Sequence, residues 1–214
     1  MEYIHNTEQF QFHNTVVALG KFDGMHKGHQ LIFDELIQYK QLGYQAAVFS
    51  FDRPPLNMLK HKHMRVIYTT NEKIKLLARR GIDIYIEHPF TDEFSHLSPE
   101  DFVIKVLLEK TGMKVLVVGD DCGFGYKRQG NVELLERMSK EYDFKLIVIP
   151  KLELEGEIVS STRIRRLLSE GKVEEANRLM EDPFMICGPV VHGNHMGAEV
   201  LQMPTANQIP LEDK

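Results

Sequence analysis

Cysteines and long apolar runs are both scarce in this sequence. The two cysteines, Cys122 and Cys187, lie far apart without a C-x-x-C pair, which argues against a disulfide framework and against a cysteine zinc site. The longest apolar runs, such as 115–118 and 146–149, fall far below the roughly 20 residues that span a bilayer. The first ten residues show no basic-then-apolar targeting pattern. We therefore expect a cytoplasmic protein that does not bind a membrane.

An excess of positive charge is also missing. The formal net charge is −5 at pH 7, which gives no general attraction to nucleic acid, and we expect no nucleic-acid partner. Any anionic ligand must therefore be met by local positive charge. With 43% hydrophobic residues in 214, the chain is long enough to bury roughly 70% of its unfolded surface in a real core.

Short apolar runs alternate with segments of helical period, which predicts an α/β fold with an open parallel sheet covered by helices. Helices are predicted at 28–42, 71–80, 162–169 and 173–180, and two more should begin at Ser98 and Asn131, which are good capping residues. The five predicted strands are Thr15–Leu19, Gln45–Phe51, Ile82–Glu87, Lys114–Val118 and Lys145–Ile149.

The stretch GKFDGMHKGHQ, residues 20–30, directly follows the first predicted strand. Ligands of open α/β sheets bind beyond the carboxyl ends of the strands, where a helix N-terminus offers unpaired N–H groups to a phosphate. Gly20 and Gly24 permit a tight turn, and Gly28 leaves space for a phosphate to reach the main chain. His26 and His29 face the same way on a helix and can donate to one phosphoryl group. On spacing alone, a glycine-rich turn with two exposed histidines is an equal alternative.

A second anion-binding pattern is VSSTRIR, residues 159–165. Ser161 or Thr162 can cap a helix and present hydroxyl and N–H groups to an anion, and Arg165 adds a permanent planar cation. By itself the stretch also describes an ordinary capped, basic surface helix. A Walker loop and a dinucleotide fingerprint are both excluded, because neither G-K-[ST] nor G-x-G-x-x-G is present after the first strand.

These patterns carry a resemblance to a known family. Residues 26–29 resemble the H-x-G-H motif of a nucleotidyltransferase superfamily, and 159–165 resemble its S-S-T-x-I-R signature. Residues 20–30, 119–130 and 159–165, with the P-T-A-N at 204–207, are similar to bacterial bifunctional riboflavin kinase/FAD synthetases. The resemblance implies a Rossmann-like FMN adenylyltransferase domain over 1–182. It further implies that 183–214 form an incomplete fragment of the family's riboflavin kinase β-barrel.

The resemblance implies transfer of AMP from ATP to FMN, which gives FAD and pyrophosphate in the presence of Mg²⁺. It assigns catalysis to His26, His29 and Arg165. The implied ATP-binding residues are Gly20, Phe22, Asp23, Gly24, Gly28, Ser160, Ser161 and Thr162, and the implied FMN-binding residues are Phe51, Asp121, Phe124, Lys127 and Arg128. Thr205 and Asn207 match the nucleotide and Mg²⁺ positions of the kinase module, and no other metal ligand is assigned.

The sequence also departs from the family pattern. Cys122 stands where the family usually has phenylalanine, and Pro54 stands where it has histidine, which puts the flavin contacts in doubt. Too few residues follow Asp182 to close the kinase barrel, so we expect no riboflavin kinase activity from this chain. Two alternatives remain open: a nucleotidyltransferase with another phosphorylated acceptor, and a non-catalytic flavin- or nucleotide-binding protein. The intact histidine pair and Arg165 favour an enzyme.

Overall fold

The fold is built on one parallel sheet. A computed structural model describes residues 1–52, 65–191 and 206–210. Within these residues the main sheet has six parallel strands in the order β1-β4-β3-β2-β5-β6, which confirms the predicted class. The strands are β1 (Glu2–His5), β2 (Thr15–Leu19), β3 (Gln45–Phe51), β4 (Ile84–His88), β5 (Met113–Gly119) and β6 (Lys145–Ile149), followed by the antiparallel pairs β7 (Glu153–Leu154) with β8 (Glu157–Ile158) and β9 (Val190–Val191) with β10 (Asn207–Gln208).

Two helices begin after the capping residues that the sequence indicates, Ser98 and Asn131, whereas the helix at 161–169 is capped by Ser160 rather than by the predicted Ser161 or Thr162. Ser98 accepts a hydrogen bond from the N–H of Asp101 at 3.0 Å, and Asn131 accepts one from Leu134 at 2.9 Å. These bonds satisfy first-turn donors that have no partner inside the helix. The helices are α1 (Lys27–Gln41), α2 (Thr70–Arg80), α3 (Asp92–Ser95), α4 (Pro99–Asp101, continued by the π-helical segment Phe102–Lys110), α5 (Val132–Glu141), α6 (Ser161–Ser169) and α7 (Val173–Leu179).

The winding of the sheet changes direction beside β2. From β2 the chain adds β3 and then β4 on one side, and it returns to add β5 and β6 on the other. The carboxyl ends of β2 and β5 therefore flank a topological switch point. In open α/β sheets this crevice is where ligands bind.

Both faces of the sheet are covered. Side chains alternate along β2, so that Val16 and Ala18 belong to one hydrophobic cluster while Val17 and Leu19 belong to the other. Residues of α1, α2, α6 and α7 complete the first cluster, and residues of α4 and α5 complete the second. Double coverage explains why the central strands are apolar throughout rather than alternating in polarity.

The sequence pattern does not predict β1. This edge strand pairs in parallel with β4, and its first and last residues are exposed, so it carries no clear hydrophobic period. The Tyr3 ring stacks on Tyr85 with centroids 5.3 Å apart, and its hydroxyl donates to Glu87 at 2.6 Å. Side-chain contacts from β4 therefore stabilise a strand whose own sequence is ambiguous.

The segment after Asp182 is held against the sheet domain. The Tyr68 hydroxyl donates to the Asp182 carbonyl at 2.9 Å, and the buried Glu72 carboxylate accepts the N–H of Cys187 at 2.8 Å. The division into 1–182 and 183–214 stays a prediction. Pro54 and Thr205 lie outside the described residues, and Asn207 lies in the exposed strand β10.

Candidate active site

The turn after β2 has an unusual backbone. Phe22, Gly24 and Met25 all have positive φ, at 49°, 80° and 38°, and the N–H of Gly20 donates to Phe49 of β3 at 3.1 Å. A Cβ at Gly20 would lie 2.9 Å from the buried Phe22 ring. The absence of a side chain at position 20 therefore allows the buried Phe22 ring to pack against the turn.

The two histidines of the turn are stacked. His26 is the N-cap of α1, and its Nδ1 accepts the N–H of His29 at 3.3 Å. Their ring centroids are 3.6 Å apart with planes 17° from parallel, and Phe22 contacts the His29 ring edge-on at 5.2 Å. A Cβ at Gly28 would lie 3.2 Å from His26 Nδ1. The space that we expected at Gly28 for a phosphate is therefore filled on that side by the His26 ring.

Burial keeps both imidazoles neutral. Burial lowers the pKa of His26 to about 4, although the nearby carboxylates of Asp23 and Asp121 act in the opposite direction. Burial and the adjacent His26 lower the pKa of His29 well below its usual value. At neutral pH the pair therefore offers N–H donors rather than positive charges.

The second motif is joined to the first through α6. Ser160 is the N-cap of α6 and accepts the N–H of Arg163 at 3.2 Å. The Ser161 hydroxyl donates to the Asp23 carbonyl at 2.7 Å, and Arg165 Nη2 lies 2.5 Å from Asp23 Oδ2. These contacts bring the start of α6 against Asp23 in the turn after β2. Thr162 is exposed on the first turn of α6.

Asp23 is engaged by protein donors on several sides. Besides Arg165, its carboxylate accepts the N–H groups of Ile67 and Tyr68, at 3.0 and 3.1 Å. Arg165 in turn donates from Nε to the Arg65 carbonyl at 3.1 Å. The Asp23 side chain thus joins the turn, the segment before α2 and the arginine of α6, a role that differs from direct nucleotide contact.

The loop after β5 is closed by backbone hydrogen bonds. Phe124 and Gly130 exchange N–H and carbonyl groups at 3.1 and 2.9 Å. Lys127 and Arg128 have φ of 51° and 58°, a left-handed conformation that costs about 1–3 kcal/mol for each non-glycine residue. A Cβ at Gly123 would lie 2.7 Å from an Arg128 guanidinium nitrogen. The Arg128 side chain therefore lies over the backbone at Gly123, where a side chain would collide with it.

An acidic and a basic side chain meet at the β5–β6 side of the crevice. Lys151 Nζ lies 3.2 Å from Asp121 Oδ2, and the Asp121 charge reaches His26. Burial raises the pKa of the neighbouring Cys122 to about 12, so this thiol is protonated and acts as a small apolar group. Asp121 is thus close enough for its charge to act on His26.

Two lysines at this edge of the sheet escape the motif-based prediction. Lys151 follows β6, and Lys21 follows β2, where desolvation and the charges of Arg165 and Arg128 lower its pKa. The charges of Arg128 and Arg165 therefore both act on Lys21 at the crevice. The positions of the two lysines just after strand ends could have indicated them, because the carboxyl ends of parallel strands share one edge.

The predicted flavin neighbours lie in an aromatic cluster. The Phe51 centroid is 5.5 Å from Phe90 and 5.7 Å from Phe94, and Phe51 is half-buried. Phe124 contacts Phe102 at 5.7 Å and is 5% exposed. Phe51 can therefore offer part of its ring to a ligand, whereas the Phe124 ring packs in the core.

Comparison with known proteins identifies the family. Residues 8–163 match the family described as FAD synthetase. The chain belongs to the FAD synthetase family. An FAD synthetase of Listeria monocytogenes is 32% identical over 191 residues, which cover 88% of this chain and 77% of that protein. A bifunctional riboflavin kinase/FMN adenylyltransferase of Buchnera aphidicola (from Schizaphis graminum) is 39% identical over 207 residues, which cover 95% of this chain.

This member of the FAD synthetase family is shorter than its bifunctional relatives. The chain spans 66% of the length of the Buchnera protein and of a Listeria bifunctional enzyme that is 36% identical. A crystal structure of a protein named as a macrolide-efflux protein from Streptococcus pneumoniae has a TM-score of 0.85 at 30% identity, over 99% of this chain and 69% of that one. In the part of this chain that the structure describes, no helix is both long and apolar enough to cross a bilayer.

The candidate site lacks a preformed metal cage in the described regions, where no group of three or more histidine, cysteine or acidic side chains could hold an ion. Asp121 nevertheless presents an exposed carboxylate, 69% accessible, whose charge acts on His26. Mg²⁺ is commonly held by one or two carboxylates together with substrate phosphates. Asp121 therefore has the chemistry of a magnesium ligand, and its carboxylate also pairs with Lys151 at 3.2 Å.

Proposed function

We propose that this chain transfers AMP from ATP to the phosphate of FMN, which yields FAD and pyrophosphate. The observation that carries this proposal is a pair of contacts at Asp23. Its backbone carbonyl accepts the Ser161 hydroxyl, and its carboxylate forms an ion pair with Arg165. These contacts at Asp23 join the S-S-T-R-I-R helix to the turn that carries the stacked histidines, and this connection supports the proposal. Membership of the FAD synthetase family supports the same reaction.

The proposed reaction needs no protein nucleophile. An oxygen of the FMN phosphate attacks the α-phosphorus of ATP, the new phosphorus–oxygen bond forms, and the bond to the bridging oxygen breaks as pyrophosphate leaves. The attacking oxygen carries no proton in the FMN dianion, so a general base is unnecessary. The work of the protein is to align the two phosphates and to stabilise the charge that moves onto the leaving group.

The site residues divide this work by position. His26 and His29 donate to oxygens around the α- and β-phosphates from the N-terminus of α1, where the helix dipole also favours an anion. The backbone N–H of Ser161 and the Thr162 side chain, with Arg165, hold the leaving pyrophosphate, because the Ser161 hydroxyl already donates its proton to the Asp23 carbonyl. Within the described residues Arg165 uses Nη2 for Asp23 and Nε for the Arg65 carbonyl, so Nη1 is available to a phosphate oxygen.

The acceptor side is proposed to lie by the loop after β5. Arg128 and Lys127 provide cations for the FMN phosphate, and Phe51 provides a half-buried ring for the flavin. Asp121 is the residue that would contact Mg²⁺, and when bound the ion neutralises triphosphate charge. Both cysteines are free thiols, which fits the reducing compartment, the cytoplasm, in which we propose that the protein works.

The test is one reaction series read by chromatography. Purified chain is incubated with ATP, Mg²⁺ and either FMN or riboflavin, and flavin products and pyrophosphate are quantified. We expect FAD from FMN and, following the sequence-based prediction, no FMN from riboflavin. Replacement of His29 by alanine should lower turnover by about 10²-fold or more while ATP affinity changes far less. ATP binding without any FAD would contradict the proposal and favour a binding protein.

A different phosphorylated acceptor is the second candidate. It is favoured by Cys122, which is small where the family usually has phenylalanine, and by the burial of the Phe124 ring. Both features reduce the aromatic surface available to a flavin. Pyrophosphate release that depends on another phosphorylated compound, and not on FMN, would support this candidate.

A further inference from the structure

Lys21 is a cation at the crevice that has no task in the proposed reaction. It is the second residue beyond β2, and the N–H of Gly20 before it still donates to Phe49 of β3 at 3.1 Å. The backbone of Lys21 therefore lies at the carboxyl end of the sheet, where ligands of such folds bind. Lys21 is exposed, so a ligand in the crevice can reach its side chain.

Two elements that carry arginines lie close to Lys21. On one side, β2 pairs with β5 as far as Ala18, so Lys21 leaves the sheet beside the loop after β5, which carries Arg128. In the other direction, Asp23 follows two residues later and pairs with Arg165 of α6 at 2.5 Å. Lys21 is thus near both the arginine proposed for pyrophosphate and the arginine proposed for the FMN phosphate.

The charges around Lys21 are unfavourable in the free protein. Partial desolvation, and then the charges of Arg165 and Arg128, lower its pKa, and Asp23 acts in the opposite direction. The Asp23 carboxylate is already engaged by Arg165 and by two backbone N–H groups. Within the described residues, the Lys21 ammonium forms neither a hydrogen bond nor an ion pair. A cation held near two others without its own counter-charge is typical of a site that binds an anion.

The proposed reaction creates a need for such a cation. The FMN phosphate and the α-phosphate of ATP are both negatively charged, and they repel each other as the attacking oxygen approaches phosphorus. A lysine ammonium has three N–H donors on a flexible stem, so it can donate to an oxygen of each phosphate at once. A contact that is strongest when the two phosphates are closest increases the rate, because it stabilises the transition state more than the bound substrates.

We propose that Lys21 is a further catalytic residue, whose ammonium donates to oxygens of both the FMN phosphate and the ATP α-phosphate while the new bond forms. The proposal rests on the proposed adenylyl transfer and names the group that reduces the repulsion between its two substrates. Lys21 keeps its protons throughout: the phosphorus–oxygen bond to FMN forms, and the bond to pyrophosphate breaks. The bound phosphates favour the charged form of the lysine.

Two substitutions separate the charge of Lys21 from its contribution to the fold. Lys21→Met keeps an unbranched side chain without the ammonium, and Lys21→Arg keeps a positive charge. We expect Lys21→Met to lose about 10²-fold in kcat, while KM for ATP and KM for FMN change by less than about fivefold. Lys21→Arg should retain at least about a tenth of the wild-type turnover. Because repulsion from the two arginines is relieved, Lys21→Met should melt at or above the wild-type temperature.

The matched control is Lys114→Met. Lys114 is an exposed lysine at the start of β5, so this variant makes the same change of charge at the opposite end of the sheet. It should keep the wild-type kinetics. Wild-type kcat in Lys21→Met, a loss confined to one KM, or an equal loss in Lys114→Met would refute the catalytic role. So would a lowered melting temperature in Lys21→Met that accounts for its loss of activity.

A binding measurement distinguishes this proposal from the proposed function. In the full chain with ¹³C-labelled lysine, the Lys21 Cε signal is assigned by its loss in Lys21→Met. We expect it to shift when Mg²⁺ and an ATP analogue with a methylene bridge between its α- and β-phosphates are added, and again when FMN follows. If the wild-type chain forms no FAD, the proposed function fails, and these shifts still decide whether phosphates reach Lys21. An unchanged signal with both ligands present would overturn the proposal.

Discussion

At the scale of single residues, Asp23 has more contacts than its motif suggests. Its carboxylate accepts two backbone N–H groups, from Ile67 and Tyr68, and pairs with Arg165, while its carbonyl accepts the Ser161 hydroxyl. Because the Asp23 carboxylate accepts from three donors, it fixes the positions of these donors relative to one another. Asp23 therefore positions Arg165 as well as the turn.

Replacement of Asp23 by asparagine tests this positioning role. The amide oxygen can still accept from the backbone, but the charge that faces Arg165 is lost. We expect turnover to fall by about 10–100-fold, because a misplaced cation no longer meets the leaving group, while KM for ATP rises less. Steady-state kinetics and thermal unfolding measure both effects.

The matched control is Asp34→Asn, which removes a half-exposed carboxylate of α1 that pairs with Arg80. This variant should retain wild-type kinetics. Equal losses in the two variants, or unchanged turnover in Asp23→Asn, would contradict the positioning role.

His26 leads to a prediction about acid stability. Its pKa is about 4 in the folded chain and near 6.5 when unfolded. Between these values the unfolded state binds more protons, so the contribution of the neutral ring is complete above pH 6.5 and is lost as the pH falls towards 4. The loss reaches about 3 kcal/mol at most. Between pH 7 and pH 4.5, the unfolding free energy measured with urea should decrease more for the wild type than for His26→Asn. Equal decreases in the two proteins would contradict this prediction.

The motifs predict part of the geometry of the candidate site. The turn that carries the histidine pair and the helix that carries Arg165 each lie in a recognisable local pattern, and the two are joined through Asp23. Lys21 lies within the stretch 20–30 but is not among the residues that the resemblance assigns. Lys151 is absent from the prediction because its proximity to the site depends on which strands are neighbours. One sequence alone does not show the order of the strands in the sheet.

At the scale of elements, the loop after β5 depends on close approach between backbones. Gly125 has φ of 69°, and a Cβ there would lie 2.7 Å from backbone atoms of Pro99 at the start of α4. The N–H of Tyr126 donates to the Leu97 carbonyl at 2.9 Å. The loop that carries Arg128 is therefore seated on the first turn of α4.

Replacement of Gly125 by alanine should unseat this loop. We expect a loss of about 2–4 kcal/mol in unfolding free energy, from left-handed strain and from the clash with Pro99, together with a raised KM for FMN. Gly156→Ala is the control, since Gly156 has φ of 75° with no atom within 4 Å of its added Cβ. The control should lose only about 1 kcal/mol. Similar losses in both variants would show that the contact with Pro99 is unimportant.

The elements themselves differ in how well the sequence predicts them. β2, β3 and β6 have the predicted bounds, because buried parallel strands are continuous apolar runs between turn residues. The π-helical segment of α4 and the strand β1 are not predicted. Both depend on contacts with distant parts of the chain rather than on local period.

At the scale of the whole molecule, the chain after Asp182 is fastened to α2 by a buried carboxylate. Glu72 is completely buried and accepts the N–H groups of Thr69 and Cys187, each at 2.8 Å. Glutamine at position 72 has one acceptor oxygen for these two donors. Glu72→Gln should therefore loosen the segment that follows Asp182.

Limited proteolysis under native conditions measures this loosening. We expect cleavage between residues 182 and 191 to become several-fold faster in Glu72→Gln, with a loss of about 1–3 kcal/mol in unfolding free energy. Glu136→Gln, on the exposed side of α5, should leave both unchanged. An unaltered cleavage rate in Glu72→Gln would mean that other contacts hold the segment.

The edge position of β1 has a practical consequence for labelling. β1 runs parallel to the other strands and begins at Glu2, so position 1 lies at the end of the sheet opposite the crevice. A fluorophore attached there should report on unfolding of the sheet border while remaining silent when a nucleotide is added.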